Sequence, residues 1–303
     1  MNQRPASGIL LVDKPQGITS HDVVARVRRL AGTRKVGHAG TLDPMATGLL
    51  ILGIESSTRL LTYVVGAAKE YTATIRLGSS TTTDDAEGDE LGRARAESVA
   101  AVEETAIRRV MARLTGDIEQ VPSAVSAIKV DGKRAYARVR AGEEVQLASR
   151  PVTVSAFELL SSTTRDGYLD LDVRVECSSG TYIRALARDL GMGLGVGGHL
   201  TALRRTRIGP FTVTDARTLD ELDVAEELIG PAVAARRLFP VLDLDAQQAV
   251  DLGHGKKLAL DGERAPGPQA AIAPDGRLVG LVEFHGGTAR SIVNFPPDEE
   301  RAS

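Results

Sequence analysis

Strict two-residue alternation in two separate stretches limits what this chain can fold into. Tyr71, Ala73, Ile75 and Leu77 alternate with Thr72, Thr74 and Arg76, and Leu169, Leu171, Val173 and Val175 repeat the pattern. A strand sends successive side chains to opposite faces, so each stretch reads as a half-buried strand. Around them the period changes. Thr19 or Ser20 caps a helix whose Val23, Val24, Val27 and Leu30 fall at helical spacing, ending near Gly32. Val99–Leu114, Tyr182–Leu190 and Leu219–Leu228 are read as further helices, and Leu49–Ile54, Val152–Leu160 and Leu200–Ile208 as further strands. Ser79–Gly92 reads as an acidic, threonine-rich loop. The elements interleave without a regular βαβ beat, which predicts an α+β fold with a mixed or antiparallel sheet. Asp117–Gly142 breaks the pattern into proline, serine and basic residues and is expected to be extended or mobile. Near Phe239-Pro240 the composition turns acidic and loop-rich. Ala271–Ala273, the Pro274-Asp275-Gly276 turn and Leu278–Phe284 predict a hairpin. The division expected is therefore 1–240 and a small β module at 241–303, marginal by itself and docked on the rest.

Composition removes several classes. With 303 residues, 42% hydrophobic and 25% charged, the chain lies in the ordinary globular range. Its longest nearly unbroken apolar stretch, Met45–Ile54, is about half of a membrane span. The early apolar run Ile9–Val12 is too short for a secretory signal core, so a cytosolic protein is expected. The single cysteine, Cys177, excludes a disulfide framework and a cysteine-based zinc cluster. A formal charge of −3 does not announce a nucleic-acid binder. Basic residues nevertheless cluster at Arg26–Lys35, at Lys129, Lys133, Arg134, Arg138 and Arg140, and at Arg204, Arg205 and Arg207. Such patches suit a polyanion and equally suit solvated surfaces.

Three stretches carry potential chemistry. Gly37–Gly48 places His38 and Asp43 in a loop with three glycines, and Pro44 biases Asp43 toward extended backbone. Asp43 there either faces a ligand or caps backbone N–H groups, and residue types leave both open. Cys177–Arg184 is a small-residue turn opening a helix, with Tyr182 and Arg184 two positions apart. The arginine can pair a buried carboxylate, contact a phosphate or lie at the surface. Tyr71, in Lys69-Glu70-Tyr71, sits on an apolar strand face, where a core role competes with a binding one. His21 and His199 have no second ligand at metal spacing, so no metal is expected. Gly191–Gly198 follows a helix rather than joining strand to helix, which argues against a nucleotide fold.

Taken together, these stretches closely resemble the bacterial tRNA pseudouridine synthases of the B type, which isomerise uridine 55 in the T-loop of tRNA. The resemblance rests on GILLVDKPQG at 8–17 with Ser20-His21, GHAGTLDPMATG at 37–48 and KEYTATIRLG at 69–78. It continues through GDIEQVPSAVSAIKVDGKRAY at 116–136, CSSGTYIRALARDLG at 177–191 and HLTALRRTRIGPF at 199–211. The tail is similar to the small RNA-binding (PUA-like) β module of such enzymes but is divergent and acidic.

The resemblance implies a pseudouridine-synthase sheet domain with a thumb-like insertion near 117–142. It implies Asp43 as the catalytic aspartate, adding to the sugar C1′ or the uracil C6 or stabilising a cation at C1′, routes the sequence does not separate. Arg184 would hold Asp43 anionic. Tyr71 would stack on the uracil and assist removal of the C5 proton, with Tyr182 and Leu203 lining the same pocket. His38 would enter the RNA loop in place of the departing base. Lys129, Lys133, Arg134, Arg204 and Arg205 would contact the RNA backbone. The expected partner is the tRNA T-arm, bound by a monomer without cofactor, membrane or obligate protein partner. Rival readings are the related synthase of guided ribonucleoprotein particles, an RNA-folding chaperone, and an aspartate-dependent glycoside hydrolase. The last lacks a second carboxylate in the matching loops.

Overall fold

A computed structural model describes residues 6–123, 129–130, 133–134, 147–260 and 265–295. Two larger sheets organise them, and their strands are numbered here in chain order. The first comprises β1 (Gly8–Lys14), β2 (Val36–Ala39), β3 (Thr47–Ile54), β4 (Lys69–Leu77), β5 (Gly116–Gln120), β6 (Arg150–Arg165), β7 (Tyr168–Cys177), β8 (Gly198–Ile208), β9 (Phe211–Thr212) and β10 (Arg217–Thr218). Its order is β10-β1-β3-β8-β4-β7-β6-β5, with β2 paired to β3 and β9 to β8. The β1–β10 and β3–β8 pairs are parallel and the others antiparallel, so the sheet is mixed, as the interleaved elements predict. The second sheet holds β11 (Val241–Asp243), β12 (Leu258–Ala259), β13 (Gln269–Ile272), β14 (Leu278–His285) and β15 (Thr288–Asn294), in the order β11-β13-β14-β15-β12. The predicted hairpin is the β13–β14 pair.

Burial explains why the strands differ in sequence. In β1 and β3 both faces are covered. Ile9, Leu11, Leu49 and Ile51 pack with Phe211, Ala270, Ile272 and Leu278, whereas Leu10, Val12, Leu50 and Leu52 pack under Val23, Val24 and Val27. Strands buried on both sides read as continuous apolar runs. In β4 and β7 one face meets the core and the other carries polar pairs such as Thr74–Asp172 and the bidentate Arg76–Asp170, hence the alternation. Helix α1 (Ser20–Leu30) starts at a capping box in which Thr19 and Asp22 bond each other's backbone N–H groups. Further along are α2 (Glu104–Arg113), α3 (Ile183–Gly193), α4 (Pro231–Leu238) and α5 (Ala246–Gly253). Residues of the second sheet thus share a core with the first.

Three local expectations change. Val99–Leu114 is two helices, Ala96–Ala100 and α2, because Glu103 is extended and redirects the chain so that Val99 and Ile107 enter one core. Leu219–Leu228 is helical only at Val224–Glu227; Arg217–Thr218 is drawn out as a strand against Val12–Asp13, and Pro231 opens α4 instead. Ser79–Gly92 contains a ribbon pairing Ser79–Thr81 with Glu90–Arg93. The start of the 117–142 segment is extended, one of the two states expected for it, with β5 paired to β6 along Arg150–Val154. Within the same segment Lys129–Val130 pairs Lys133–Arg134.

Candidate active site

The Gly40–Ala46 loop joins β2 to β3 and is held by the turn after β1. The Leu42 N–H donates to Ser20 Oγ at 2.9 Å, and Ser20 Oγ donates to the Leu42 carbonyl at 3.2 Å. The Gly17 N–H donates to the Pro44 carbonyl at 2.8 Å. Lys14, fully buried, donates to the carbonyls of Pro15, Ile18 and Pro44. Burial lowers its ammonium to about 8, against the pull of the nearby Asp43 carboxylate. Gly48 ends the loop at φ +98°, where an added Cβ would lie 2.3 Å from the Arg205 carbonyl oxygen. Only glycine lets β3 and β8 approach that closely.

Asp43 emerges from this anchored loop beside Arg184. Arg184 Nε lies 3.1 Å from Asp43 Oδ2, and its Nη1 lies 3.2 Å from Asp85 Oδ2 and 3.1 Å from the Thr83 carbonyl. The two carboxylates differ in access: the Asp43 side chain is 39% exposed and that of Asp85 only 3%. Asp43 can meet a ligand, whereas Asp85 can only support the guanidinium. Burial raises the Asp43 carboxyl above its ordinary value; Arg184 opposes that shift and Asp85 adds to it. The pairing expected of Arg184 is present, but the net shift is upward. A carboxylate made less comfortable in this way is a better nucleophile than a solvated one.

Asp43 and Arg184 share a cleft of about 260 Å³ with Tyr71, Tyr182, Leu203, Lys69 and Arg205. Tyr71 is buried on β4, and burial raises its phenol. Tyr182 precedes α3. Its backbone is gripped by the side chain of Gln120, which accepts from the Tyr182 N–H at 2.8 Å and donates to its carbonyl at 3.1 Å. The Arg150 guanidinium lies 4.9 Å from the centre of its ring. Gln120 and Arg150 are register partners on β5 and β6. The two strands that flank the insertion therefore meet at one cleft residue.

Of the residues expected from the sequence, the structure brings Asp43, Tyr71, Tyr182, Arg184 and Leu203 together in one cleft. His38, also expected at the site, does not line that cleft. That imidazole is half-buried on β2, edge-on to His21 with ring centres 5.6 Å apart, and burial lowers its proton affinity. Arg205, expected on the RNA backbone, is 1% exposed and donates to the carbonyls of Leu49 and Gly40, so it faces inward and not toward a phosphate. Arg204 is half-exposed but forms a bidentate pair with Asp13. The side chains of Lys129, Lys133 and Arg134 lie outside the described residues. Sequence reading missed Asp85, Gln120, Ser20 and Lys14 as site supports. Asp85 sat in an acidic stretch, and only its position among threonines distinguished it. No group of His, Cys, Asp and Glu suited to a metal occurs among the described residues, and no helix there is long and apolar enough to cross a membrane.

Comparison with known proteins defines the class. Residues 28–183 match the N-terminal domain of the TruB family pseudouridylate synthases, 184–242 match a tRNA pseudouridylate synthase B C-terminal domain, and 239–296 match the C-terminal model of tRNA pseudouridine synthase II. The fold is shared with a chain in the structure of an H/ACA RNP bound to a substrate RNA containing 2′-deoxyuridine, at TM-score 0.71 and 26% identity, covering 96% of this chain and 86% of that one. This is the fold of a pseudouridine synthase.

The tRNA pseudouridine synthase B of Leifsonia xyli subsp. xyli is 67% identical over 97% of this chain and 98% of its own length. That of Arthrobacter sp. strain FB24 is 57% identical, over 97% and 98%. The chain belongs to the TruB family of pseudouridylate synthases, and its activity is an isomerisation of uridine in tRNA.

Proposed function

We propose that the substrate is uridine 55 of the tRNA T-loop, and that Asp43 is the catalytic group that breaks the C1′–N1 bond so that the uracil can turn and rejoin through C5. The observation that carries this reading is the juxtaposition of an accessible Asp43, paired to the buried Arg184, with Tyr71 in one cleft. In that cleft a flipped uracil stacks on Tyr71 between Tyr182 and Leu203, and Asp43 adds to C1′ or C6 or stabilises the cation at C1′. The tyrosine takes the C5 proton in the last step.

Extruding the base costs a few kcal/mol of stacking, which phosphate contacts offset. Lys129, Lys133, Arg134 and Arg204 supply those contacts, and His38 fills the space the base leaves. The reaction is a net isomerisation, so it draws on no redox equivalent or group donor. The enzyme acts as a monomer without a guide RNA or protein partner, in the cytoplasm where tRNA is processed.

The test uses a T-arm stem-loop transcript, purified protein and no added metal. Carbodiimide-dependent primer-extension stops map pseudouridine for wild type and Asp43→Asn. A stop at the T-loop uridine with wild type alone is expected. No stop with either protein, despite tight binding, overturns the stand-alone mechanism in favour of a chaperone or partner-dependent role.

A further inference from the structure

Three cations line the cleft with Asp43: Arg184, Lys69 and Arg205. Arg184 faces two carboxylates, Asp43 and Asp85. Arg205 and Lys69 differ. Arg205 is 1% exposed and Lys69 6%, and among the described residues neither forms an ion pair with a carboxylate. Arg205 spends its Nε on the Leu49 carbonyl at 2.8 Å and its Nη2 on the Gly40 carbonyl at 3.0 Å, whereas Lys69 bonds the carbonyls of Val65 and Ala67. An uncompensated buried charge is costly, so a fold that retains one at its reaction site invites the question of which anion it awaits.

The sheet register supplies the answer. Arg205 on β8 is the direct antiparallel partner of Tyr71 on β4, and both side chains line the cleft. We propose that Arg205 is the positioning residue for Tyr71, its guanidinium stabilising the phenolate that removes the C5 proton. The inference rests on the proposed role of Tyr71 and deepens it: Arg184 serves the carboxylate that starts the reaction, and Arg205 serves the phenol that ends it.

The step balances. Once C5 is bonded to C1′, the Tyr71 phenolate takes the C5 proton. The C5–H electron pair forms the C5–C6 double bond, and the C6–N1 π pair passes to N1, which takes a proton from solvent. The phenol returns its own proton to solvent, so the product remains an isomer. Burial raises the phenol, and Cys177 from β7 and the Asp43 carboxylate from the loop add to that; Arg205 from β8 opposes them by its charge and a hydrogen bond, favouring the phenolate. Lys69 adds a second cation on the same strand as Tyr71, and Arg184 reaches the cleft from α3.

The experiment measures single-turnover rates on a T-arm stem-loop carrying protium or deuterium at C5 of the target uridine, across pH, for wild type, Arg205→Met, Arg205→Lys and Tyr71→Phe. Arg205→Met is expected to slow the reaction about 10- to 100-fold at neutral pH, to bring out or enlarge a C5 deuterium isotope effect, and to move the rising limb of the rate to higher pH. Arg205→Lys keeps the charge and is expected to retain the wild-type limb. A folded Arg205→Met with wild-type rate, isotope effect and pH limb overturns the proposal. If Arg205→Met does not fold, Arg205→Lys decides: a folded Arg205→Lys that keeps the limb supports the proposal, and one whose limb has moved overturns it. Tyr71→Phe separates the two readings. A slow Tyr71→Phe beside a normal Arg205→Met removes only the role of Arg205, whereas a Tyr71→Phe without any C5-step defect removes the tyrosine base and with it this inference.

Discussion

Arg184 holds two carboxylates with different edges of one guanidinium, Asp43 at 3.1 Å through Nε and Asp85 at 3.2 Å through Nη1. The planar, fixed fork of arginine makes this possible where a lysine ammonium would not hold both directions. Asp85 is thereby a component of the site although no substrate can reach it. Removing its carboxylate as Asp85→Ala leaves a buried guanidinium half-compensated. The expected loss of stability is about 3 kcal/mol, read from urea unfolding. Misorientation of Arg184 is expected to slow single turnover about 100-fold, with tRNA affinity in filter binding unchanged.

The Asp43 carboxyl is raised, chiefly by burial, and this sets two pH trends. In the proposed mechanism activity requires the Asp43 carboxylate, so the acid limb of the single-turnover rate should lie above that of a solvated aspartate. For stability the sign follows from proton linkage. A carboxyl with a higher pKa folded than unfolded binds more protons in the native state, so wild-type stability falls as pH rises between the two values. Asp43→Asn removes that penalty. Its melting temperature is expected to exceed that of wild type at neutral pH, with the difference shrinking as pH falls through the raised value. Equal melting curves at both pH values would contradict this.

Gln120 bonds both backbone groups of Tyr182 from β5. Gln120→Ala leaves the half-buried Tyr182 N–H without its acceptor, while the carbonyl keeps the Leu186 N–H at 3.2 Å, and the expected cost is about 1–3 kcal/mol. Gln120→Glu keeps the acceptor and loses the donor, so it should fall between wild type and Gln120→Ala in chemical denaturation.

Two glycines with similar backbone angles make a paired test. Gly17 has φ +87° and nothing within 4 Å of an added Cβ, whereas Gly48 has φ +98° and the Arg205 carbonyl oxygen 2.3 Å away. Gly17→Ala should cost only about 1–2 kcal/mol of backbone strain. Gly48→Ala must also push β8 away, and a loss beyond about 4 kcal/mol is expected, visible as failure to fold or as a large drop in denaturation midpoint.

Charge reversal at Lys133 and Arg134 is expected to weaken tRNA binding and to reduce its dependence on salt, because fewer counterions are released per complex. Affinities measured at several salt concentrations check this, and an unchanged slope would remove these residues from the phosphate-contacting set.

Much of the architecture was legible because it is written in local periods. The alternation in β4 and β7, the continuous run in Leu49–Ile54 and the cap at Thr19 each follow from residues within a few positions of one another. The Gly37–Gly48 loop likewise singled out Asp43 as a candidate, and the structure sets it beside Arg184 in the cleft. Helix limits were less legible where tertiary contacts overruled propensity, as at Leu219 and Leu222, which bury themselves without a helix because the chain just before them is paired to β1.

The tertiary structure decided what surrounds those residues. Asp85 lies 42 positions after Asp43, and Arg184 a further 99; only the folded sheet brings their charges within 3.2 Å. Arg204 and Arg205 are adjacent and look equivalent as a basic pair. Yet β8 turns Arg204 outward to Asp13 and Arg205 inward beneath the Asp43 loop, because consecutive side chains on a strand face opposite ways. Sequence carries residue identity and short-range period. Desolvation, charge pairing and access depend on which distant strands become neighbours, and those are the quantities that bring an aspartate, a phenol and two guanidinium groups into one cleft.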